Sequence, residues 1–306
     1  MHVGIVGLGS IGRKHLAVLR ELTPEVTVTA LRSSAAAAEE AGVTNVFSWA
    51  AFKAVQPDWV LLSNPTVHRR RALEELAGTN AALFIEKPAL ASLAEADALV
   101  KRLAQERTTY VACNLRFLGC VQYVRNRLLQ EDLRPNEVTA YCGSYLPDWR
   151  PGVDFRKVYS ARPEMGGGAH LDLIHELDYL YWLFGKPLAV GRQFRSDSSL
   201  NIPAVDYAHY RLDYERFSAT VTLNYFRRDY KRTLELVLPA ATWTVDLAAN
   251  TVADHTGAVL YRSADRFPAT YRYQMAHWLQ QLRGTAAPQN GLREGLEVLK
   301  ICLPND

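Results

Sequence analysis

No stretch of this 306-residue chain offers the roughly 20 consecutive apolar residues that a membrane-spanning helix needs, so no membrane partner is expected. The N-terminus has no charged, apolar and cleavable layout of a secretion signal; its first residues already read as a strand. Cysteine is scarce: Cys113, Cys120, Cys142 and Cys302 form no CxxC pair and no metal-ligand spacing. Reduced thiols in a cytoplasmic protein without a metal are the expectation. Excess charge is also missing. The net charge is +3, too small to point to nucleic acid or an acidic membrane surface. Internal repeats and long low-complexity tracts are absent. What remains is a chain with 48% hydrophobic and 22% charged residues, the composition of a globular protein with a real core and length enough for two domains.

What is present begins at once. Val3 to Val6 is a short apolar run suited to a buried strand, and it leads directly into Gly7-Leu8-Gly9-Ser10-Ile11-Gly12. Leu16, Leu19 and Leu22 then recur about one helical turn apart. Strand, glycine turn and helix in this order form a dinucleotide site. Gly7 permits the tight turn, Gly9 admits a pyrophosphate to the backbone, and Gly12 lets the helix pack on the strand. Free N–H groups and the helix dipole then favour the phosphates. The second strand, Val26 to Leu31, ends in Arg32-Ser33-Ser34, where an NAD-specific site would carry Asp or Glu. A guanidinium and two hydroxyls attract a 2′-phosphate, so NADP is expected, with NAD possible. A plainer use is capping of a helix over the alanine run 35–38 beside a solvated arginine.

Further strands deliver polar residues at their carboxyl ends, where ligands sit in an open parallel sheet. Asp58 to Ser63 ends in Asn64-Pro65-Thr66-Val67-His68, expected to flank the nicotinamide ribose. The basic run from His68 to Arg71 reads as one solvated helical turn. Ala82 to Ile85 delivers Glu86-Lys87-Pro88. Lys87 is then either a catalytic amine at the ligand edge or a loop lysine paired with Glu86. Val111 to Phe117 brings Asn114 and Arg116 to the end of the last parallel strand. Strands alternating with helical patterns mean a doubly wound sheet.

The glycine turn, Asn64-Pro65-Thr66 with His68, Glu86-Lys87-Pro88, Asn114-Leu115-Arg116-Phe117, and the run from Gly166-Gly167-Gly168 through Asp172 and His175 to Asp178 together resemble the Gfo/Idh/MocA oxidoreductases, the glucose–fructose oxidoreductase and inositol dehydrogenase family. The resemblance covers essentially the whole chain. It implies an α/β protein: an N-terminal Rossmann domain with a doubly wound parallel sheet over residues 1–118, and a C-terminal α+β domain over 119–306 with a large, mostly antiparallel open sheet. The second domain would bind substrate and build a homodimer or homotetramer through its sheet. The implied activity is NAD(P)-dependent hydride transfer at a hydroxyl or keto carbon of a sugar, cyclitol or nucleotide-linked sugar. Lys87 matches the lysine that lies beside the reacting hydroxyl. Asp172 and His175 resemble the Asp and His of the second motif, three positions apart where many members have four; either spacing brings them near one helical face. Residues 7–12, Arg32, Ser33, Ser34, Asn64, Pro65, Thr66, His68, Glu86, Lys87 and Asn114 are expected at the cofactor.

In the second half, Cys120 to Leu129 reads as a linking helix and Glu137 to Ser144 as a strand. The loop that follows gathers Tyr145, Trp149, Arg150, Arg156 and Tyr159. Aromatic faces suit sugar C–H surfaces or a nicotinamide, and Arg suits phosphate or carboxylate. With Arg116 and Tyr179 these are the expected substrate contacts, favouring an anionic sugar such as a nucleotide-linked one. Three glycines precede one helix running to Phe184, with Gly185 as its C-cap. His175-Glu176 is no zinc-protease motif, because position 179 is Tyr. By composition His175 is a core histidine as readily as a catalytic one; the resemblance points to catalysis. Strands follow at Tyr207–Leu212, Phe217–Tyr225, Thr233–Leu238, Trp243–Leu247 and Val259–Arg262, with Arg227 to Arg232 read as a hairpin end in water. Helices over Tyr271–Leu282 and Leu292–Cys302 close the chain, the last ending abruptly before Pro304-Asn305-Asp306. Two other readings stay open: a non-catalytic NADP-binding sensor or co-regulator, and an imine reductase or redox-assisted glycosidase on the same fold.

Overall fold

The opening apolar run is buried on both faces, with Val3 and Ile5 fully enclosed, as a strand inside a parallel sheet must be. The computed structural model describes residues 1–34, 36 and 38–304. Six strands, β1 (His2–Val6), β2 (Thr27–Leu31), β3 (Val43–Val46), β4 (Trp59–Leu62), β5 (Ala82–Glu86) and β6 (Thr109–Ala112), lie in the order β3-β2-β1-β4-β5-β6. All are parallel. The order reverses between β1 and β4, which opens a crevice at the carboxyl ends of these strands. Helices α1 (Ser10–Leu22), α2 (Trp49–Ala54), α3 (Arg69–Leu76) and α4 (Ala96–Glu106) make the crossovers. On α1, Gly12, His15, Leu16 and Leu19 are the buried residues, the stripe that a 3.6-residue period predicts.

The alanine run behaves differently from expectation. Ala35 and Ala37 lie outside the described residues. Ala36 and Ala38 to Ala41 form no helix, and the Ser34 hydroxyl accepts from the Ala36 N–H at 3.1 Å in a local turn. The next element is instead β3, whose polar and half-buried pattern gave no sign of a strand.

The second sheet is built from β7 (Glu137–Tyr145), β8 (Ala189–Arg195), β9 (Tyr207–Asp213), β10 (Ser218–Asn224), β11 (Phe226–Val237), β12 (Thr242–Asp246), β13 (Thr251–Asp254) and β14 (Val259–Arg262). Its order is β14-β13-β12-β11-β7-β10-β9-β8. Only the β7–β10 pair is parallel. Val138, Ala140, Ala219, Val221, Tyr210, Leu212, Leu234 and Leu236 point to one buried face, under α5 (Gly119–Gln130), α6 (Ala169–Asp172) and α7 (His175–Phe184). The alternate residues, Thr139, Tyr141, Thr220, Thr222, His209 and Arg211, form the other, polar face. The chain is therefore an α/β protein with a Rossmann sheet and a second, mostly antiparallel sheet.

The compact units are residues 1–113 with 271–306, and residues 114–270. The expected division lay at 118/119, with the closing helices in the second domain; the compact units group those helices with the first. The cause is local to the first unit. Strand β6 is a sheet edge, and Asn290 covers it: the Val111 N–H donates to the Asn290 carbonyl at 2.8 Å, and Asn290 Nδ2 donates to the Val111 carbonyl at 2.6 Å. Helix α8 (Ala269–Leu282) sends Trp278 against Trp59 and Phe84 at ring distances of 5.7 and 5.8 Å. Helix α9 (Leu292–Cys302) lies so close to β6 that a Cβ on Gly295 would meet Val111 at 2.7 Å. Asn305 and Asp306 lie outside the described residues. Among those described, no helix is long and apolar enough to cross a membrane, and all four cysteines are buried.

Candidate active site

At the switch point, Gly7 has a positive φ of 89°, and a Cβ there would sit 2.5 Å from the Asn64 backbone. A Cβ on Gly12 would meet the Gly7 carbonyl at 2.6 Å. These two glycines are required by the close approach of β1, the β4 loop and α1. Gly9 differs: a Cβ there would meet nothing within 4 Å, so the space over the turn is open. Helix α1 has no side-chain cap and no acidic residue in its first turn. Its first main-chain bond runs from the Arg13 N–H to the Gly9 carbonyl at 2.9 Å, which leaves the preceding amides without intrahelical acceptors. Asn64 is buried beside the turn, and its Oδ1 has no hydrogen-bond partner. Open space, uncapped amides and an unmatched polar atom fit the diphosphate of a dinucleotide.

The loop after β5 is tied down from two sides. The Glu86 carboxylate engages the ring Nε2 of fully buried His15 at 2.5 Å and accepts from the Lys87 main-chain N–H at 3.2 Å. Arg69, expected in a solvated turn, is buried instead. Its guanidinium donates to the carbonyls of Asn64 at 2.8 Å, Glu86 at 2.6 Å and Pro88. One planar fork thereby joins the β4 and β5 loops. Burial pushes the Glu86 carboxyl up, but the His15 hydrogen bond and the positive charges of His15, Lys87 and Arg69 outweigh it, and the net shift is downward. Its contribution to stability is therefore complete above the ordinary value of 4.5 and is lost as pH falls through the folded value. Glu86→Gln is expected to flatten the acid side of the stability curve below that pH, read from urea midpoints taken across acid and neutral buffers.

In the second unit the expected single helix is broken. Asp172 ends α6, Leu173 and Ile174 form a turn, and His175 begins α7. The two side chains therefore do not share one continuous helical face, which corrects the argument from spacing. Both are buried. Asp172 accepts from the Tyr159 hydroxyl at 2.6 Å on one oxygen and from the Tyr225 hydroxyl at 2.6 Å on the other. Burial, reinforced by Asp172, raises both phenols above their usual range, so they remain donors. Burial pushes the His170 imidazole down to about 4, against an upward pull from Asp172. Trp149 meets Tyr225 edge-on at 5.3 Å, and the Arg150 guanidinium stands 5.9 Å over the Tyr159 ring. A Cβ on Gly167 would lie 2.1 Å from the Tyr159 carbonyl, so this glycine permits the loop to close over α6. Two buried ion pairs hold α7. Glu176 accepts from Arg232 at 2.6 and 3.0 Å, and Asp178 from Arg116 at 2.8 and 2.6 Å.

The profile described as an oxidoreductase family with an NAD-binding Rossmann fold matches residues 1–114, and that of the GFO/IDH/MocA C-terminal domain matches residues 134–243. The chain belongs to the Gfo/Idh/MocA oxidoreductase family. Similar solved structures include the WlbA dehydrogenase from Bordetella pertussis in complex with NADH and UDP-GlcNAcA, at 18% identity and a TM-score of 0.80, covering 98% of this chain and 93% of that one. Myo-inositol 2-dehydrogenase from Lactobacillus plantarum is 18% identical with a TM-score of 0.79, covering 99% and 95%. Levoglucosan dehydrogenase in complex with NADH is 15% identical with a TM-score of 0.83, covering 99% and 95%. No curated protein matches.

Set against this Gfo/Idh/MocA frame, the expected residues divide clearly. Residues 7–12, Asn64, Glu86 and Lys87 stand on one sheet edge, with Thr66 buried nearby in sequence and Pro65 and His68 exposed. Arg32 and Ser34 line a cleft of about 470 Å³ beyond β2, and Ser33 is exposed. In the second unit Trp149, Arg150, Tyr159 and Asp172 form one cluster. Tyr145 lies apart under the Arg228 guanidinium at 4.2 Å, and exposed Arg156 stacks on Phe155 at 4.5 Å. Three of the expected residues are engaged within the protein: Arg116 is fully buried against Asp178, Tyr179 is fully buried in the core, and Asn114 donates its side-chain N–H to Thr270 at 2.7 Å. Arg232 likewise leaves the hairpin end for Glu176. Sequence reasoning missed His15, Arg69 and Tyr225. His15 alone carried a signal, a histidine on the apolar stripe of α1.

Proposed function

We propose that this family member transfers a hydride between a nicotinamide and a hydroxyl or keto carbon of a sugar-type substrate, with a nucleotide-linked sugar the favoured class. The observation that carries the reading is in the first unit: the uncapped start of α1 and the Lys87 amine share one carboxyl edge of one parallel sheet. A bound nicotinamide supplies the redox chemistry. Lys87 as an ammonium stabilises negative charge on the reacting oxygen, and the His175 imidazole takes or returns its proton. Asp172, fixed by two phenols, is the orienting carboxylate. Half-exposed Trp149 and exposed Arg150 beside it suit a sugar face and an anionic group. A nucleotide sugar bound in the Bordetella relative supports the class. The polar face of the second sheet is the proposed surface of a cytoplasmic homodimer or homotetramer.

NADP is the proposed coenzyme. Arg32 Nη1 is held at 3.3 Å by both the Ala38 carbonyl and Asn45 Oδ1, which aims the guanidinium into the cleft with Ser34. Glu40 also lines it but is paired with Arg13 at 2.8 Å. Arg32→Ala is expected to weaken NADPH binding by about tenfold or more and to leave NADH nearly unchanged, since a charged hydrogen bond contributes about 1.5–3 kcal/mol. Fluorescence titration with both coenzymes checks this; equal losses for the two would refute the assignment. The reaction itself is tested at 340 nm with a panel of UDP-sugars, hexuronates and inositols. Tight coenzyme binding without turnover across the panel would favour a sensor instead.

A further inference from the structure

We propose that His15, Glu86 and Arg69 form a positioning relay that sets Lys87 according to the state of the dinucleotide-binding helix α1. The inference rests on the reading of Lys87 as the amine beside the nicotinamide, and concerns contacts inside the first unit alone. His15 lies on α1, whose first turn is the phosphate site, and its side chain is fully enclosed. The ring is clamped edge-on by Phe84 at 5.1 Å and by Tyr271 at 5.6 Å. Tyr271 is itself covered by the Lys14 ammonium at 4.6 Å. A ring so enclosed has one orientation, and it holds Nε2 on the Glu86 carboxylate. That carboxylate also accepts from the Lys87 main-chain N–H, and so reaches the backbone that carries the amine. From the other side, Arg69 fixes the carbonyls of Glu86 and Pro88, bracketing Lys87, and ties them to Asn64, against which Gly7 packs.

The charged and titratable groups facing Glu86 are His15 from α1, Lys87 from its own loop and Arg69 from α3. Three positive or protonatable groups surround one enclosed carboxylate, and its bond to the His15 ring, at 2.5 Å, is short. A displacement of α1 on phosphate binding has two paths to Lys87, through His15 to the Glu86 carboxylate and through the Gly7–Asn64 contact to Arg69. None of these residues is proposed to touch substrate.

The test reads Lys87 directly and needs no substrate. The full chain is labelled briefly with acetic anhydride, with and without NADH at ten times its dissociation constant, and acetylation of Lys87 is counted by mass spectrometry against exposed Lys101. Wild type is expected to show about tenfold protection of Lys87, following occupancy of the site. In His15→Phe, which keeps a ring in the clamp and removes the N–H, protection is expected to fall to about threefold or less although NADH binds with nearly unchanged affinity, because a small misplacement of the amine is enough. His15→Gln returns a donor and is expected to restore protection. Absence of protection in wild type overturns the reading of Lys87 and the relay with it. Full protection in wild type and equal protection in His15→Phe overturns the relay alone.

Discussion

Lys87→Met is expected to lower kcat by about 10²–10³-fold while NADH binds nearly as in wild type. The magnitude follows from what the side chain must do. Hydride leaves or arrives at carbon as charge builds on the attached oxygen, and a preorganised cation there lowers the barrier by about 3–4 kcal/mol. Methionine keeps the length and apolar stem of lysine but has neither charge nor proton. The surrounding scaffold does not depend on the lost amine: Glu86 is held by His15, and the loop carbonyls by Arg69. Loss of turnover therefore reports chemistry and not collapse, and an unchanged melting temperature verifies that. The measurement is steady-state turnover on whichever panel compound the wild-type chain oxidises or reduces. A Lys87→Met enzyme with wild-type kcat would remove the lysine from the reaction. His175→Asn is the partner experiment, expected to cost about 10²–10⁴-fold, the range for a lost general acid or base.

How much of this was legible before the structure depends on the range of the interaction involved. The glycine turn was legible because its physics is local: Gly7 and Gly12 answer to contacts that a strand–turn–helix unit always makes. Lys87 was legible because β5 is a run of buried residues, and the first polar residues after such a run fall at the ligand edge. Buried cations were not. Arg69 and Arg232 looked solvated and Arg116 looked like a substrate contact, because charge is visible in a sequence and its partner is not. Their acceptors lie 17, 62 and 56 residues away. The break between α6 and α7 was hidden for a similar reason. Leu173 and Ile174 are apolar helix-compatible residues with no glycine or proline between them, and the turn is fixed by the tyrosines on Asp172 and the ion pairs on α7. The return of α8 and α9 to the first unit has no local signal either, since only the open edge of β6 calls for Asn290. Edge strand β8 and interior strand β13 escaped because their alternation is shallow and half polar.

The buried pairs on α7 carry the largest expected effect on stability. Asp178 and Arg116 are both fully enclosed, in a two-pronged bond that also stacks the guanidinium near Trp182 at 5.7 Å. Removing one member leaves the other charged, dry and without compensation, which costs about 3–5 kcal/mol. For a unit of this size that corresponds to a fall of roughly 10 °C in melting temperature. Asp178→Ala is therefore expected to unfold the second unit early in both heat and urea. Arg116→Met with Asp178→Leu is expected to recover most of the loss, because desolvating two charges consumes much of what their attraction returns. The exposed Arg195–Asp197 pair provides the contrast: at 2.9 Å it is nearly as short, yet it lies in water, and Asp197→Ala is expected to leave the midpoint where it was. The pairs also bear on the site. His175 opens the helix that Glu176 and Asp178 anchor, so a chain that tolerates the double apolar replacement should keep its fold and lose positional control of the imidazole. That predicts near-normal melting with depressed kcat, and equal recovery of both would assign the pair to stability alone.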